Sequence, residues 1–264
     1  MPKTHLIYFS ATGTTKKLVQ TFGEALGGEC GSLDILRHPI TQELVFSADD
    51  IVVVGLPVYS GRAAPIALES IKKMQGSTTP AAILVAWGNR AYDDALLELQ
   101  DCLEERGFIV AAAGAFVARH AVFPRYAVGR PDERDLDILR TLAGKFAVKI
   151  ASPSNLVSGA LTVKGKRPYR KPVDMTLYPR ASESCINCGA CAALCPARVI
   201  NPKNPRAKPA KGCLSCAACI HVCPQHARAF GGFVYTFFDV VFDFIFRTLF
   251  FWQKNVRNEP ETFV

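Results

Sequence analysis

Two short stretches hold eight of the chain's ten cysteines. The first runs Cys185, Cys188, Cys191, Cys195 and then Pro196; the second runs Cys213, Cys216, Cys219, Cys223 and then Pro224. Thiols this concentrated form disulfides or bind metal. The opening residues, MPKTHLIYF, carry no apolar leader core and no small-residue cleavage site, so the expected compartment is the cytoplasm. Thiols there are kept reduced and disulfides are rare, which leaves metal ligation. A zinc ribbon would use two C-x2-C pairs and leave the third cysteine and the C-P step of each repeat without a purpose. The doubled C-x2-C-x2-C-x3-C-P run suits [4Fe–4S] clusters instead. Its short spacing lets three thiolates of one loop reach neighbouring iron atoms, and Gly189, Ala190, Ala217 and Ala218 leave room for them. Eight cysteines satisfy two clusters, so His221 and His226 stand beside the ligands rather than among them. Cys30 and Cys102 are lone reduced thiols on this reading.

A second set of residues lies near the start of the chain. Ser10, Ala11, Thr12, Gly13, Thr14 and Thr15 form a small, hydroxyl-rich turn between an apolar run and a helical pattern. Backbone N–H groups at a helix N-terminus attract a phosphate, and the hydroxyls add donors. Such a turn can also be an ordinary helix cap. A nucleotide P-loop needs glycine-lysine followed by Ser or Thr, whereas here the lysines follow the threonines; a dinucleotide fingerprint needs three spaced glycines, and only Gly13 is present. Further along, Pro57, Val58, Tyr59, Ser60 and Gly61 make one loop, and Ala86, Trp87, Gly88, Asn89, Arg90 and Tyr92 another. Phosphate donors beside two aromatic-bearing loops suit a mononucleotide with a large planar ring. Catalytic residues are not apparent; His120 and Arg125 follow the fifth apolar run near the expected ring, but no named group supplies acid–base chemistry.

Those loops need a scaffold that gathers them at one edge. Apolar runs at 5–10, 33–36, 50–57, 81–87 and 108–118 read as strands, with the third and fourth buried on both faces. Between and after them, 14–26, 65–74, 92–107 and 132–150 read as helices, the last starting at an Asp132 cap. Alternation of this kind predicts an α/β fold, a doubly wound parallel sheet covered by helices on both faces. Ligands of such sheets bind at the carboxyl ends of the strands, where the three loops fall.

The SATGTT turn, the VYSG loop and the GNRAY loop together resemble the flavodoxin phosphate loop and the two flavodoxin loops that enclose the flavin ring. The resemblance covers residues 3–150 and implies a five-stranded sheet of order 2-1-3-4-5 with FMN held at Ser10–Thr15, Pro57–Gly61 and Ala86–Tyr92. The cysteine repeats resemble the small α+β module of two-cluster bacterial ferredoxins over about residues 181–230. In that family the fourth cysteine of each run ligates the other cluster. The resemblance therefore implies one cluster on Cys185, Cys188, Cys191 and Cys223, and a second on Cys213, Cys216, Cys219 and Cys195. As a whole the chain resembles the family in which a flavodoxin domain is fused to a two-cluster ferredoxin, found chiefly in anaerobes. That implies an electron-transfer protein with FMN, two [4Fe–4S] clusters and a redox partner protein. The competing class is an FMN-dependent reductase of a small substrate, fed by the clusters.

The expected organisation is a flavodoxin-like domain at 1–150, a basic proline-rich linker at 151–180, the ferredoxin domain at 181–232 and an aromatic C-terminal helix and tail at 233–264. Charge divides along the same line. Residues 1–150 hold 16 Lys and Arg against 17 Asp and Glu; residues 151–264 hold 15 against 6. A half so basic suggests nucleic-acid binding. Clusters of about −2 each offset much of that excess, and the remainder suits an acidic redox partner, so no nucleic-acid partner is expected. In the linker, Leu161, Val163, Tyr169 and Tyr178 point to packing rather than disorder. The tail FVYTFFDVVFDFIFRTLFFW carries Asp239, Asp243 and Arg247 at i, i+4 and i+8, one polar stripe on an otherwise apolar helix, with Asp243 and Arg247 as a pair. Its apolar side chains favour membrane insertion by about 6 kcal/mol and the three charges oppose it by about 9 kcal/mol. Burial of the apolar face against the protein's own domains ranks first, a homodimer or partner interface second, and membrane association third.

Overall fold

The computed structural model describes residues 3–152, 156, 161–171, 177–248 and 258–264. The strands are β1 Thr4–Tyr8, β2 Cys30–Asp34, β3 Leu44–Phe46, β4 Ile51–Tyr59, β5 Arg62–Ala63, β6 Met74–Gly76, β7 Thr79–Trp87, β8 Phe108–Val117, β9 Arg180–Ala181, β10 Arg228–Ala229 and β11 Glu261–Phe263. The helices are α1 Thr14–Leu26, α2 Pro65–Ile71, α3 Ala95–Glu104, α4 Glu133–Ile150, α5 Ala190–Ala193, α6 Ala218–His221 and α7 Phe233–Thr248.

The main sheet runs β2-β1-β4-β7-β8 with every pairing parallel, which is the 2-1-3-4-5 order of its five long strands. Two additions extend it. β5 folds back on β4, and β11 pairs antiparallel with β8 at the far edge. Every residue of β7 is buried, as a central strand covered on both faces requires. One core lies on the α2–α3 side, with Ile83, Val85, Leu96 and Leu99; the other joins α1 and α4 through Leu18, Phe22, Leu139 and Phe146. α1 spans its expected residues, and α4 starts from a capping box in which Asp132 and Asp135 each accept the other's backbone N–H.

Three of the boundaries that differ from the sequence reading have a clear local reason. β2 ends at Asp34, because its carboxylate accepts the Leu36 N–H at 3.1 Å and turns the chain; Ile35 and Leu36 are buried beyond the strand. α2 stops at Ile71, and Met74 enters β6, which pairs with β3. α3 begins at Ala95. The Asp94 carboxylate before it accepts the N–H groups of Lys166 at 2.9 Å and Arg170 at 2.8 Å, so it holds the linker rather than the helix.

The described part of the linker lies against α3. Gln100 donates to the Leu161 carbonyl at 2.7 Å, Asp101 binds both Arg167 and Tyr169, and Val163 is buried in the main core. Tyr178 instead lies under Arg180 and Lys208 on the cysteine-rich side.

The expectation for the aromatic tail is corrected. α7 docks through its polar stripe: Arg125 pairs with Asp239 at 3.0 Å, and the Tyr126 hydroxyl meets Asp243 at 3.2 Å. Tyr235 stacks on Phe123 and Phe230. Four phenylalanines of its described part, Phe233, Phe237, Phe238 and Phe244, face outward, Phe233 86% and Phe244 65% exposed. The docked face combines the Asp239 and Asp243 carboxylates, beside a guanidinium and a phenol, with the stacked Tyr235 ring. The Arg247 side chain and residues 249–257 lie outside the described residues.

β11 fastens the chain's end to the first domain. Glu261 accepts the Tyr92 hydroxyl at 2.7 Å and pairs with Lys164 at 2.6 Å, while Asn258 donates to the Asn89 side-chain oxygen at 2.8 Å. The Tyr92 hydroxyl, buried against a carboxylate, has its pKa pushed up. Tyr92→Phe should therefore cost about 1–2 kcal/mol in urea denaturation by removing one hydrogen bond to a charged acceptor. A change below about 0.3 kcal/mol would mean that β11 is held by its ladder alone.

Candidate functional site

One cavity of ≈ 1120 Å³, including its open mouth, lies at the carboxyl ends of β1, β4, β7 and β8. The β1–α1 turn contributes Ala11, Thr12, Thr14 and Thr15; the β4 end contributes Pro57, Val58, Tyr59, Ser60 and Gly61. The β7 end contributes Ala86, Trp87, Gly88 and Arg90. Four of the sequence-selected residues do not line it. Ser10 accepts the Lys16 N–H at 3.1 Å, and Gly13 caps α1 with a left-handed φ of 85°, which only glycine adopts freely. Asn89 is engaged by Asn258, and Tyr92 is turned toward Glu261 with its ring edge-on to Trp87.

The turn suits an anion. No side chain caps the start of α1 and no acidic residue occupies its first turn, so the positive end of the helix faces the cavity. The buried indole N–H of Trp87 has no partner among the described residues, a donor that a bound acceptor would satisfy. Burial pushes the half-buried Tyr59 phenol well above its usual range, and the charge of Cys216 adds to the shift. These features fit a phosphorylated ring compound.

Sequence reasoning missed part of the wall. Ala118, Arg119, Ala121, Val122 and Phe123 come from the segment after β8, with His120 among them, and Leu214, Ser215 and Cys216 come from the second cysteine repeat. Arg125, noted with His120, does not line the cavity and pairs with α7. The His120 Nδ1 accepts the N–H groups of Val122 at 3.2 Å and Phe123 at 3.1 Å, which assigns the ring proton to Nε2. Gly88 makes room for this ring, since a Cβ there would come within 2.6 Å of the His120 Cδ2. Nothing in the local sequence announces the contribution of residues 214–216, because it depends on how the two parts of the chain pack.

The cysteines gather in two smaller cavities. One is lined by Cys185, Cys188, Cys191 and Cys223; the other by Cys195, Cys213, Cys216 and Cys219. Each thus takes three thiols from one repeat and the fourth from the other. The two repeats share a backbone shape: left-handed residues at Asn187, Gly189 and Arg198 recur at Ser215, Ala217 and His226. β9 and β10, flanking the repeats, pair antiparallel. Among the described residues no three His, Cys, Asp or Glu side chains converge to hold a single metal ion. A four-iron cluster binds one thiolate per iron and does not need such convergence. Burial pushes the Cys216 thiol up to about 11 and the Cys219 thiol up to about 12, so metal binding here must release protons.

Residues 184–228 match the family model of the 4Fe-4S dicluster domain. A search of curated proteins found no match. Similar solved structures include the rubredoxin oxygen:oxidoreductase of Desulfovibrio gigas, at 17% identity and TM-score 0.41 over 59% of this chain; the match spans only 37% of that longer protein. Flavodoxin 1 of Bacillus cereus is 14% identical over 55% of this chain and 97% of its own, with a TM-score of 0.39. A Fusobacterium nucleatum flavodoxin bound to flavin mononucleotide is 12% identical over 57% of this chain and 98% of its own, with a TM-score of 0.38. The fold assignment rests on this chain's own strand order, which is that of flavodoxins. The chain joins an α/β domain with the strand order of flavodoxins to a segment, residues 184–228, that matches the 4Fe-4S dicluster domain. A 4Fe-4S dicluster domain carries one-electron chemistry on its iron–sulfur clusters. No helix among the described residues is long and apolar enough to cross a membrane.

His120 makes the fold acid-sensitive. Burial lowers its pKa to about 4 from the unfolded 6.5, so the unfolded chain binds the extra proton between those values. The stabilisation is complete above pH 6.5 and is lost as the pH falls toward 4, amounting to about 3 kcal/mol. Urea denaturation without added cofactor should show His120→Gln losing that much less stability than the wild type between pH 7 and pH 4. Parallel pH profiles would refute the assignment.

Proposed function

We propose that the chain is an electron carrier holding FMN in the large cavity and one [4Fe–4S] cluster in each four-cysteine cavity. It would exchange electrons with an acidic redox protein. One observation carries the reading: Cys216 lines both the large cavity and a four-cysteine cavity. A cluster ligand is thereby a wall of the flavin site. When bound, FMN supplies one- and two-electron chemistry and the clusters one-electron chemistry.

The chain's own residues hold and shield these groups. Thr12, Thr14 and Thr15 with the start of α1 would hold the phosphate, and the loops of Tyr59 and Trp87 would flank the ring. Cys216 and Leu214 exclude water from the shared wall, while exposed Cys188 marks where the first repeat meets solvent. The preference for an acidic partner is supported by the excess of Lys and Arg in residues 151–264.

Anaerobically purified protein should carry about one FMN and about eight iron atoms per chain. In stopped-flow reduction, flavin bleaching that follows cluster reduction should proceed at a rate independent of protein concentration. Thr12→Val with Thr15→Val should weaken FMN binding and leave the iron content intact. A rate rising linearly with concentration would mean transfer between molecules and refute the shared-wall role.

The crossed cysteine sets give a separate test. Cys223→Ala should damage the cluster of Cys185, Cys188 and Cys191 before the cluster of its own repeat. Electron paramagnetic resonance that finds the Cys213–Cys219 cluster damaged first would overturn the pairing.

A further inference from the structure

Among the described residues, Arg228 alone is common to the linings of both four-cysteine cavities. It follows the last C-P step by four positions and opens β10, whose pairing with β9 fixes its backbone opposite Ala181. The side chain is 3% exposed. Its guanidinium donates to the Pro179 carbonyl at 3.3 Å and to the Pro205 carbonyl, both neutral acceptors. Nε has no partner, and no carboxylate pairs with Arg228, among the described residues.

A buried guanidinium without a counter-ion is costly, and Arg cannot relieve the cost by losing its proton. Two half-buried arginines, by contrast, are compensated: Arg62 by Glu98, and Arg130 by Asp135. Around Arg228 the groups that carry negative charge once ionised are the cysteine thiolates.

We propose that Arg228 is a shared, fixed counter-charge that raises the reduction potential of both clusters together. The proposal rests on the reading that each four-cysteine cavity takes a [4Fe–4S] cluster. Net charge, hydrogen bonds and burial set the potential of such a centre, and each electron added makes it more negative. A fixed cation nearby therefore favours the reduced form, and one cation bordering both cavities acts on both. Arg228 is a positioning residue for charge, not a ligand.

The test is anaerobic potentiometry of the reconstituted full chain, followed by electron paramagnetic resonance, with iron content measured in parallel. Arg228→Gln should lower the reduced-to-oxidised ratio of both clusters at least tenfold at a fixed potential, a shift of about 59 mV for one electron. Arg228→Lys keeps the charge and should stay within about threefold of the wild type on the same scale. Unmoved potentials in a Gln variant with full iron, or a Lys variant displaced as far as Gln, would overturn the proposal. So would displacement of one cluster only. If Gln fails to hold iron while Lys holds it at near-wild-type potentials, the need for charge stands. If neither holds iron, Arg228 is a structural tie and the proposal fails. A wild type without two clusters would sink the underlying reading itself, an outcome distinguishable from all of these.

Discussion

The structure depends on the apolar packing of the second cysteine repeat into its α/β domain. Ala218, in the second cysteine repeat, is buried to 1% exposure within the main core of the α/β domain, and Cys216 and Leu194 pack against the same core. Ser215 beside them is buried and donates its hydroxyl to the Leu177 carbonyl. The second repeat is therefore wedged into the first domain rather than merely tethered to it. Close-packed interiors resist displacement, so the separation of the large cavity from the cysteine cavity is set by side-chain volume. A flexible tether would give an effective concentration in the millimolar range; a packed contact removes the search altogether.

The linker and the C-terminal strand support that wedge from opposite sides. Asp94 and Asp101 on α3 draw the linker down with backbone and side-chain bonds, while β11 and Asn258 hold the loop after β7. These contacts involve charge and geometry more than apolar area. α7 adds contacts of both kinds, two carboxylates beside Arg125 and the Tyr235 ring stacked on Phe123 and Phe230.

Legibility in the sequence followed the range of the interaction. The five long strands and α1 could be read because each carries its own apolar run or period, and the Asp132 cap because its partner Asp135 lies three residues away. The cysteine sets could be read from a family spacing that brings its own wiring. What escaped was non-local. Asp94 reads as part of a helix until Lys166 and Arg170 claim it, and Tyr92 looks like a cavity wall until Glu261 draws its hydroxyl away. The polar stripe of α7 was visible, but not Arg125, more than a hundred positions earlier, as the group it would meet. Hydrophobic pattern reports which residues want burial; it is silent on which charges will find each other first.

The few unsatisfied buried atoms tie the fold to the proposed cofactors. Among the described residues, three buried side-chain atoms lack a hydrogen-bond partner: the Trp87 Nε1, the Gln100 Oε1 and the Arg228 Nε. Two of these belong to residues that line a cavity, Trp87 at the large one and Arg228 at both cysteine cavities. A buried donor left unpaired costs about 1–3 kcal/mol, more when charged. A protein only 5–15 kcal/mol stable does not carry such costs without consequence. Where acceptor-bearing groups occupy those cavities, the cost is relieved only in the folded state, so binding and folding are thermodynamically linked. The same buried N–H groups that would weaken the bare fold make it selective for what it holds, because an occupant offering no acceptor leaves them unpaired.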